Sequence, residues 1–351
     1  MMDYFVYICM FLFAYVASVF SDKLMCNNVI VKNVTLDLIG IFPLAYFFVN
    51  RYDVGRDYGT YSRIFSDCIG GGFDINQEPM TVLLSQFAYF VGEDFQVFLL
   101  FVFIITIYFM LIILRKITSP KAFHIVFFMY LILYFGPACN IMSQIMAVTF
   151  ITYSYVFLSK NNIIVFILFV GVASLFHYSA ILIIPIGILY FLFRKKQYLL
   201  YYIVAISVIF LTIVPDSYNI VLASMNLDMY YVYLKSFSGT TFFKIFICKI
   251  PLYVIEIAFM KRVYGNSKIW FFLLLFEIGF SIFSLNFMWV GRMIYYFSIS
   301  HFILLSKIVD NIVHSHNRIM LQLFIMLYGA LYFYIVHFYL MADSIDTIRM
   351  V

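Results

Sequence analysis

Twelve apolar stretches, each close to or long enough for a bilayer crossing, dominate this chain of 351 residues. They lie near residues 3–20, 34–49, 95–114, 122–135, 138–158, 162–176, 178–193, 198–214, 242–260, 269–287, 291–308 and 319–341. A bilayer core about 30 Å thick takes roughly 20 helical residues. No water in that core bonds stray backbone groups, so a spanning segment must satisfy its own N–H and C=O groups. Unbroken apolar runs do this as helices, whereas a spanning barrel alternates in segments of about ten residues. Charge agrees with this reading. Only 11% of the residues are charged and mean hydropathy is +1.02, against about 25% charged in a soluble domain. A soluble globular enzyme is excluded, and so is a disordered or nucleic-acid-binding chain, since both need many charges. The expected fold is an all-α polytopic membrane protein with about 12 transmembrane helices, forming a single integral membrane domain over residues 1–351.

Two pairs of spans are set by local chemistry. Asn161 to Phe193 is one uncharged run of 33 residues with Lys160 before it and Arg194-Lys195-Lys196 after it. As one helix it would be roughly 50 Å long, far beyond the core. A tight hairpin of two short helices turning near His177 is expected instead. Between Lys121 and Lys160, Gly136-Pro137 marks a second break, because proline removes a backbone donor. The stretch from Tyr4 to Phe20 lacks a basic segment before it and a small-residue cleavage site after it, so it reads as a retained span.

The basic residues alternate with these spans. Fourteen of the 22 Lys and Arg residues fall in Lys23/Lys32, Arg115/Lys116/Lys121, Lys160, Arg194/Lys195/Lys196, Lys261/Arg262/Lys268 and Lys307/Arg318. The positive-inside rule puts those loops in the cytoplasm and both termini outside. Two outer loops are long, 50–94 and 215–241. Within the first, Glu78 to Gly92 is apolar but too short to span, and reads as an interfacial helix. The five cysteines read as small apolar filler rather than a disulfide framework.

Ten of the 39 charges crowd into residues 50–94. Arg51 and Arg56 stand at the mouth of a span, beside glycines that let backbone approach a ligand. Arginine forks suit phosphate oxygens, although the same arginines pair equally well with the neighbouring aspartates. Arg292 stands alone at the outer start of a span, where it either snorkels to the interface or faces an anion in a cavity. His177 is flanked by apolar helices, either bonded to a turn carbonyl or acting as a base. Asn140 and Gln144 follow the Gly136-Pro137 break and serve as helix glue or as sugar contacts. Glu256, Glu277, Lys249 and Asp37 lie in or near spans, with a Lys249–Glu256 pair two turns apart as a structural option. His124, His301 and His337 read as packing or interface residues.

In order, these residues resemble a known family. Arg51, Gly55, Asp57 and Tyr61 are followed by Glu78-Pro79, then by Asn140, Gln144 and Ala147. Phe176, His177, Ser179 and Ala180 come next, and Arg292, Tyr296 and Phe297 last. The pattern is similar to the EpsG-like branch of the Wzy polysaccharide polymerases over about residues 35–300. It departs from the family at Ser143, where an arginine usually precedes the glutamine. The resemblance implies a glycosyltransferase of GT-C-like architecture in the bacterial cytoplasmic (inner) membrane. Such a protein joins oligosaccharide repeat units carried on undecaprenyl diphosphate at the outer face, for O-antigen or a related surface polysaccharide. Its partners would be that lipid-linked glycan, the bilayer and a chain-length regulator, with no nucleotide sugar, metal or cofactor. His177, Glu78 and Asp57 would then serve catalysis. Arg51, Arg56 and Arg292 would hold the diphosphate, and Asn140, Gln144, Tyr61 and Tyr296 the sugars. A lipid-linked oligosaccharide flippase or other transporter, an O-antigen ligase and a membrane O-acyltransferase are the alternatives.

Overall fold

The computed structural model describes residues 2–24, 30–69, 78–195, 240–263, 268–284, 288–343, 345 and 349–350. Their helices are α1 (Met2–Leu24), α2 (Ile30–Asn50), α3 (Tyr58–Ile69), α4 (Pro79–Gly92), α5 (Phe95–Ile117), α6 (Pro120–Asn140), α7 (Met142–Ser159), α8 (Ile163–Phe176) and α9 (Ile183–Phe193). After a gap come α10 (Thr240–Val263), α11 (Lys268–Phe283), α12 (Met288–Met293), α13 (Ile299–Asn311) and α14 (Ser315–Phe333). Among the described residues six helices are long and apolar enough to cross a membrane, with four shorter apolar ones beside them. The expected span at 198–214 and the loop at 215–241 lie outside the described residues, apart from the start of α10. Helix α10 is long enough to cross but carries Lys244, Lys249 and Glu256.

Helix α6 is the axis of the molecule. Its apolar residues lie all round rather than in a stripe, so it has no face to offer water or lipid. From Phe123 onward nearly every side chain is buried, and it packs against α1, α13 and α14. Helices α1, α8 and α14, by contrast, expose apolar side chains outward, among them Phe5, Leu168 and Leu327.

The chain breaks differently from expectation at one of the two pairs. Helix α6 runs through Gly136-Pro137 to Asn140, and the kink falls at Ile141, with φ −95° and ψ 62°. Pro137 costs only one hydrogen bond in a last turn. Gly136 is needed there for space, since a Cβ would lie 2.4 Å from the His337 ring. The hairpin at His177 forms as expected: α8 ends at Phe176, His177 is extended, and a 3-10 turn (Tyr178–Leu182) leads into α9. Among the described residues no disulfide forms, and Cys139 is a buried thiol.

One end of the bundle gathers the loop at 51–57, the start of α4, the His177 turn and the segment after α14. That last segment straps the loop. Tyr52 N donates to Arg349 O at 2.9 Å, and Arg56 N to Asp343 O at 3.3 Å. At the opposite end Arg115 donates to Asp37 at 2.7 Å.

Candidate functional site

The loop after α2 is shaped by Arg51. Its side chain is wholly buried, and its donors go to the carbonyls of Phe48, Val54 and Cys139 at 2.5, 3.3 and 3.4 Å. The guanidinium also stacks 3.9 Å from the Phe48 ring centre. The expectation that Arg51 faces a diphosphate is therefore not met. The last turns of α2 and α6 leave the Phe48 and Cys139 carbonyls unpaired and the loop leaves that of Val54, buried carbonyls need donors, and the arginine fork fills that need. Gly55 works beside it with φ +99°, which favours glycine, and a Cβ there would lie 2.4 Å from Cys139 O.

Next along the loop, Arg56 is exposed and donates to Met341 O at 3.4 Å. Asp57 is half-buried. Burial pushes its carboxyl above the ordinary carboxylate range, the charges of Arg292 and Arg56 pull it back, and that of Asp343 adds to the rise. Asn140 ties this corner together. Its Oδ1 accepts from Asp57 N at 3.0 Å and its Nδ2 donates to Asp343 Oδ1 at 3.2 Å. Tyr61, on the buried face of α3, shares a 3.0 Å hydrogen bond with Ser143 Oγ and accepts one from Ser143 N. Burial pushes the Tyr61 hydroxyl up to about 12. Asn140 and Tyr61, both expected to meet sugar, are thus bonded to protein here. Ser143, the departure from the family pattern, is the partner of Tyr61.

The other half of the site comes from distant segments. His177 Nδ1 lies 2.7 Å from Glu78 Oε1, and the two side chains are 26% and 21% exposed. They are 99 residues apart in sequence. The extended conformation of His177 at the end of α8 turns its ring out of the helix, and Glu78 sits at the N-cap of α4, held by the Pro79 start. Ser179, two residues on, shares a 3.0 Å hydrogen bond with Tyr296. Gln144 donates to Arg292 O at 2.9 Å, while its buried Oε1 has no partner among the described residues. Arg292 itself is half-buried.

The remaining ionisable residues form a second, sealed group. Lys249 Nζ lies 2.6 Å from Glu277 Oε1 and 3.2 Å from Ser298 Oγ. His301 bridges Glu256 at 2.8 Å and Glu277 at 2.9 Å. Lys249 thus pairs across helices with Glu277, not along α10 with Glu256, and His301 is an ionic partner rather than a packing residue. His337, expected as a packing or interface residue, lies 3.0 Å from Asp343, which sequence reasoning missed. An ionisable side chain alone in a span was the available signal for His337, whereas Asp343 follows the last apolar run and gave none.

The arrangement can bind an anion between exposed or half-buried arginines and can move a proton at a histidine oriented by a carboxylate. No curated protein and no solved structure matches the chain. The family model of the EpsG family matches residues 34–348. The match covers most of the chain, which is therefore a member of the EpsG family, Wzy-related, polymerase-like membrane proteins of polysaccharide synthesis.

Proposed function

We propose that this chain joins oligosaccharide repeat units carried on undecaprenyl diphosphate at the outer face of a bacterial cytoplasmic membrane. A hydroxyl of one lipid-linked glycan attacks the anomeric carbon of another. The new glycosidic bond forms as the bond from that carbon to the diphosphate oxygen breaks, and undecaprenyl diphosphate leaves. The observation that carries this reading is the 2.7 Å contact between His177 and Glu78. With Nδ1 donating to the carboxylate, Nε2 is left to take the proton of the attacking hydroxyl. Glu78 fixes the ring and stabilises the imidazolium that results.

Arg292 and Arg56 are assigned to the leaving diphosphate, where developing negative charge needs fixed positive charge. Asp57, between their charges, orients them. Arg51 is assigned to loop shape, since its donors go to carbonyls. Gln144, whose buried Oε1 is left without a partner among the described residues, is assigned to the sugar, and Tyr296, bonded to Ser179, holds the wall behind it with Asn140 and Tyr61. The single-domain, GT-C-like arrangement with about 12 spans belongs to this proposal, as does the docking of a chain-length regulator.

The test is reconstitution of the full chain in liposomes with its lipid-diphosphate-linked repeat unit. A ladder of lipid-linked oligomers is expected. One observation favours a transporter instead, namely the ionisable cluster of Lys249, Glu277, His301 and Glu256 inside the bundle. Flipping of the repeat unit without any elongation would establish that reading and overturn the polymerase.

A further inference from the structure

The segment that leaves α14 makes a tight reversal. Its π-helical turn, Tyr334–Tyr339, closes with Leu340 N donating to Ile335 O at 2.8 Å and Ala342 N to Val336 O at 3.0 Å. Between them Met341 takes φ +50°, a left-handed conformation that ends helices. The reversal brings Met341 and Asp343 onto the loop at 51–57. Asp343 is buried there, seated against α6. Gly136 and Asn140 lie one turn apart on the same face of that helix. A Cβ at Gly136 would lie 3.0 Å from Asp343 Oδ2, so the glycine gives the carboxylate its room. Asn140 Nδ2 donates to the other oxygen at 3.2 Å.

Asp343 holds Arg56 from both sides. Its carbonyl accepts from Arg56 N at 3.3 Å. Its carboxylate holds Asn140, whose Oδ1 accepts from Asp57 N at 3.0 Å. The peptide groups before and after Arg56 are therefore both tied, which sets the two backbone torsions that aim its side chain. The guanidinium then donates to Met341 O at 3.4 Å. Arg56 is otherwise exposed, and a long exposed arginine has much rotamer freedom to lose. The charge of Asp343, by contrast, works against an anion site. It repels Asp57, adding to the rise of that carboxyl, and would repel a diphosphate in the same way. What Asp343 offers the site is geometry.

We infer that Asp343 is a positioning residue for Arg56, gripping the backbone on both sides of it through its own carbonyl and through Asn140, so that the guanidinium meets the diphosphate already oriented. A side chain ordered beforehand has less freedom to lose on binding. The inference rests on the assignment of Arg56 to the diphosphate.

The experiment measures binding of geranyl diphosphate, a soluble lipid diphosphate, to the full chain in lipid nanodiscs by titration calorimetry, with the thermal midpoint read on the same samples. The native chain should bind it. Charge and geometry predict opposite signs for Asp343→Ala: loss of a nearby negative charge should tighten binding, whereas loss of the grip should weaken it. At least fivefold weaker binding is expected. Asp343→Asn keeps an acceptor for Asn140 without the charge, and should bind at least as tightly as the native chain. Asn140→Ala should also weaken binding at least fivefold, and decides the matter if Asp343→Ala does not fold. In an Arg56→Ala chain, adding Asp343→Ala should change binding less than twofold, which a general loss of structure would not allow. Unchanged or tighter binding by folded Asp343→Ala overturns the inference. So does Asp343→Asn as weak as Asp343→Ala, a fivefold loss that persists without Arg56, or no binding by the native chain. A native ladder together with any of those results keeps the polymerase and removes the positioning role. The expected pattern of binding with no native ladder keeps Asp343 at an anion site and removes the polymerase.

Discussion

Two groups of ionisable residues in this molecule have similar chemistry and opposite surroundings. His177 and Glu78 form one histidine–carboxylate contact, with both side chains a fifth to a quarter exposed. His301 forms another with Glu256 and Glu277, where all three are wholly buried. The second histidine has both nitrogens committed to carboxylates. Lys249 and Ser298 complete the set around Glu277. The first histidine has one nitrogen committed and a neighbourhood of arginines at the same end of the bundle. A fully partnered network holds helices together. A partly partnered one at an accessible end has donors and acceptors left for a substrate. Residue type alone does not separate the two, and geometry does.

Perturbing each group should therefore fail in different ways. The largest effect is expected on the sealed side. Glu277→Ala leaves Lys249 and His301 without their shared partner, and breaking a buried ion pair costs about 3–5 kcal/mol. Yield of folded protein, read by size-exclusion profile and thermal midpoint, should collapse. Normal yield would mean that the network is not structural. On the accessible side His177→Ala should leave yield unchanged and slow ladder formation by about 10²–10⁴-fold, the usual worth of a placed base. Arg292→Ala should slow it by roughly 10²–10³-fold, as loss of one charge-stabilising donor does. Arg51→Ala should instead lower the thermal midpoint, because three carbonyls lose a charged donor. An Arg51→Ala protein that is as stable as the native chain yet inactive would return that arginine to the diphosphate.

The smallest effect concerns Asp57. Its carboxyl is held above the ordinary range chiefly by burial. The folded state therefore binds that proton more tightly than the unfolded one. Stability from this group is full below the unfolded value, about 3.9, and is lost as pH rises through the higher folded value. Asp57→Asn should flatten the pH dependence of the thermal midpoint over that window. An unchanged profile would show that Asp57 is not so perturbed.

The helices were legible because lipid writes its demand directly into composition, and the hairpin at His177 because 33 uncharged residues cannot cross once. The order of the site residues was legible through family pattern, though not their directions. Arg51 looked like an anion ligand because a sequence does not show which carbonyls of helix ends and loop are left unpaired beside it. Lys249 looked like a partner of Glu256 because only spacing along one helix is visible, whereas its nearer carboxylate lies on α11. Asp343 was invisible for a related reason. It follows the last apolar run, and only folding of the terminal segment back onto residues 51–57 brings it to Asn140.

The central claim is that His177 and Glu78 act as one unit in transfer. A double-mutant cycle on reconstituted protein tests this most directly, comparing initial rates of ladder formation for His177→Ala, Glu78→Gln and the double variant. The account predicts that the double variant is no more than about twofold slower than His177→Ala alone, since the carboxylate works through the imidazole. Rate losses that multiply, or a Glu78→Gln protein that ladders at the native rate, would contradict it.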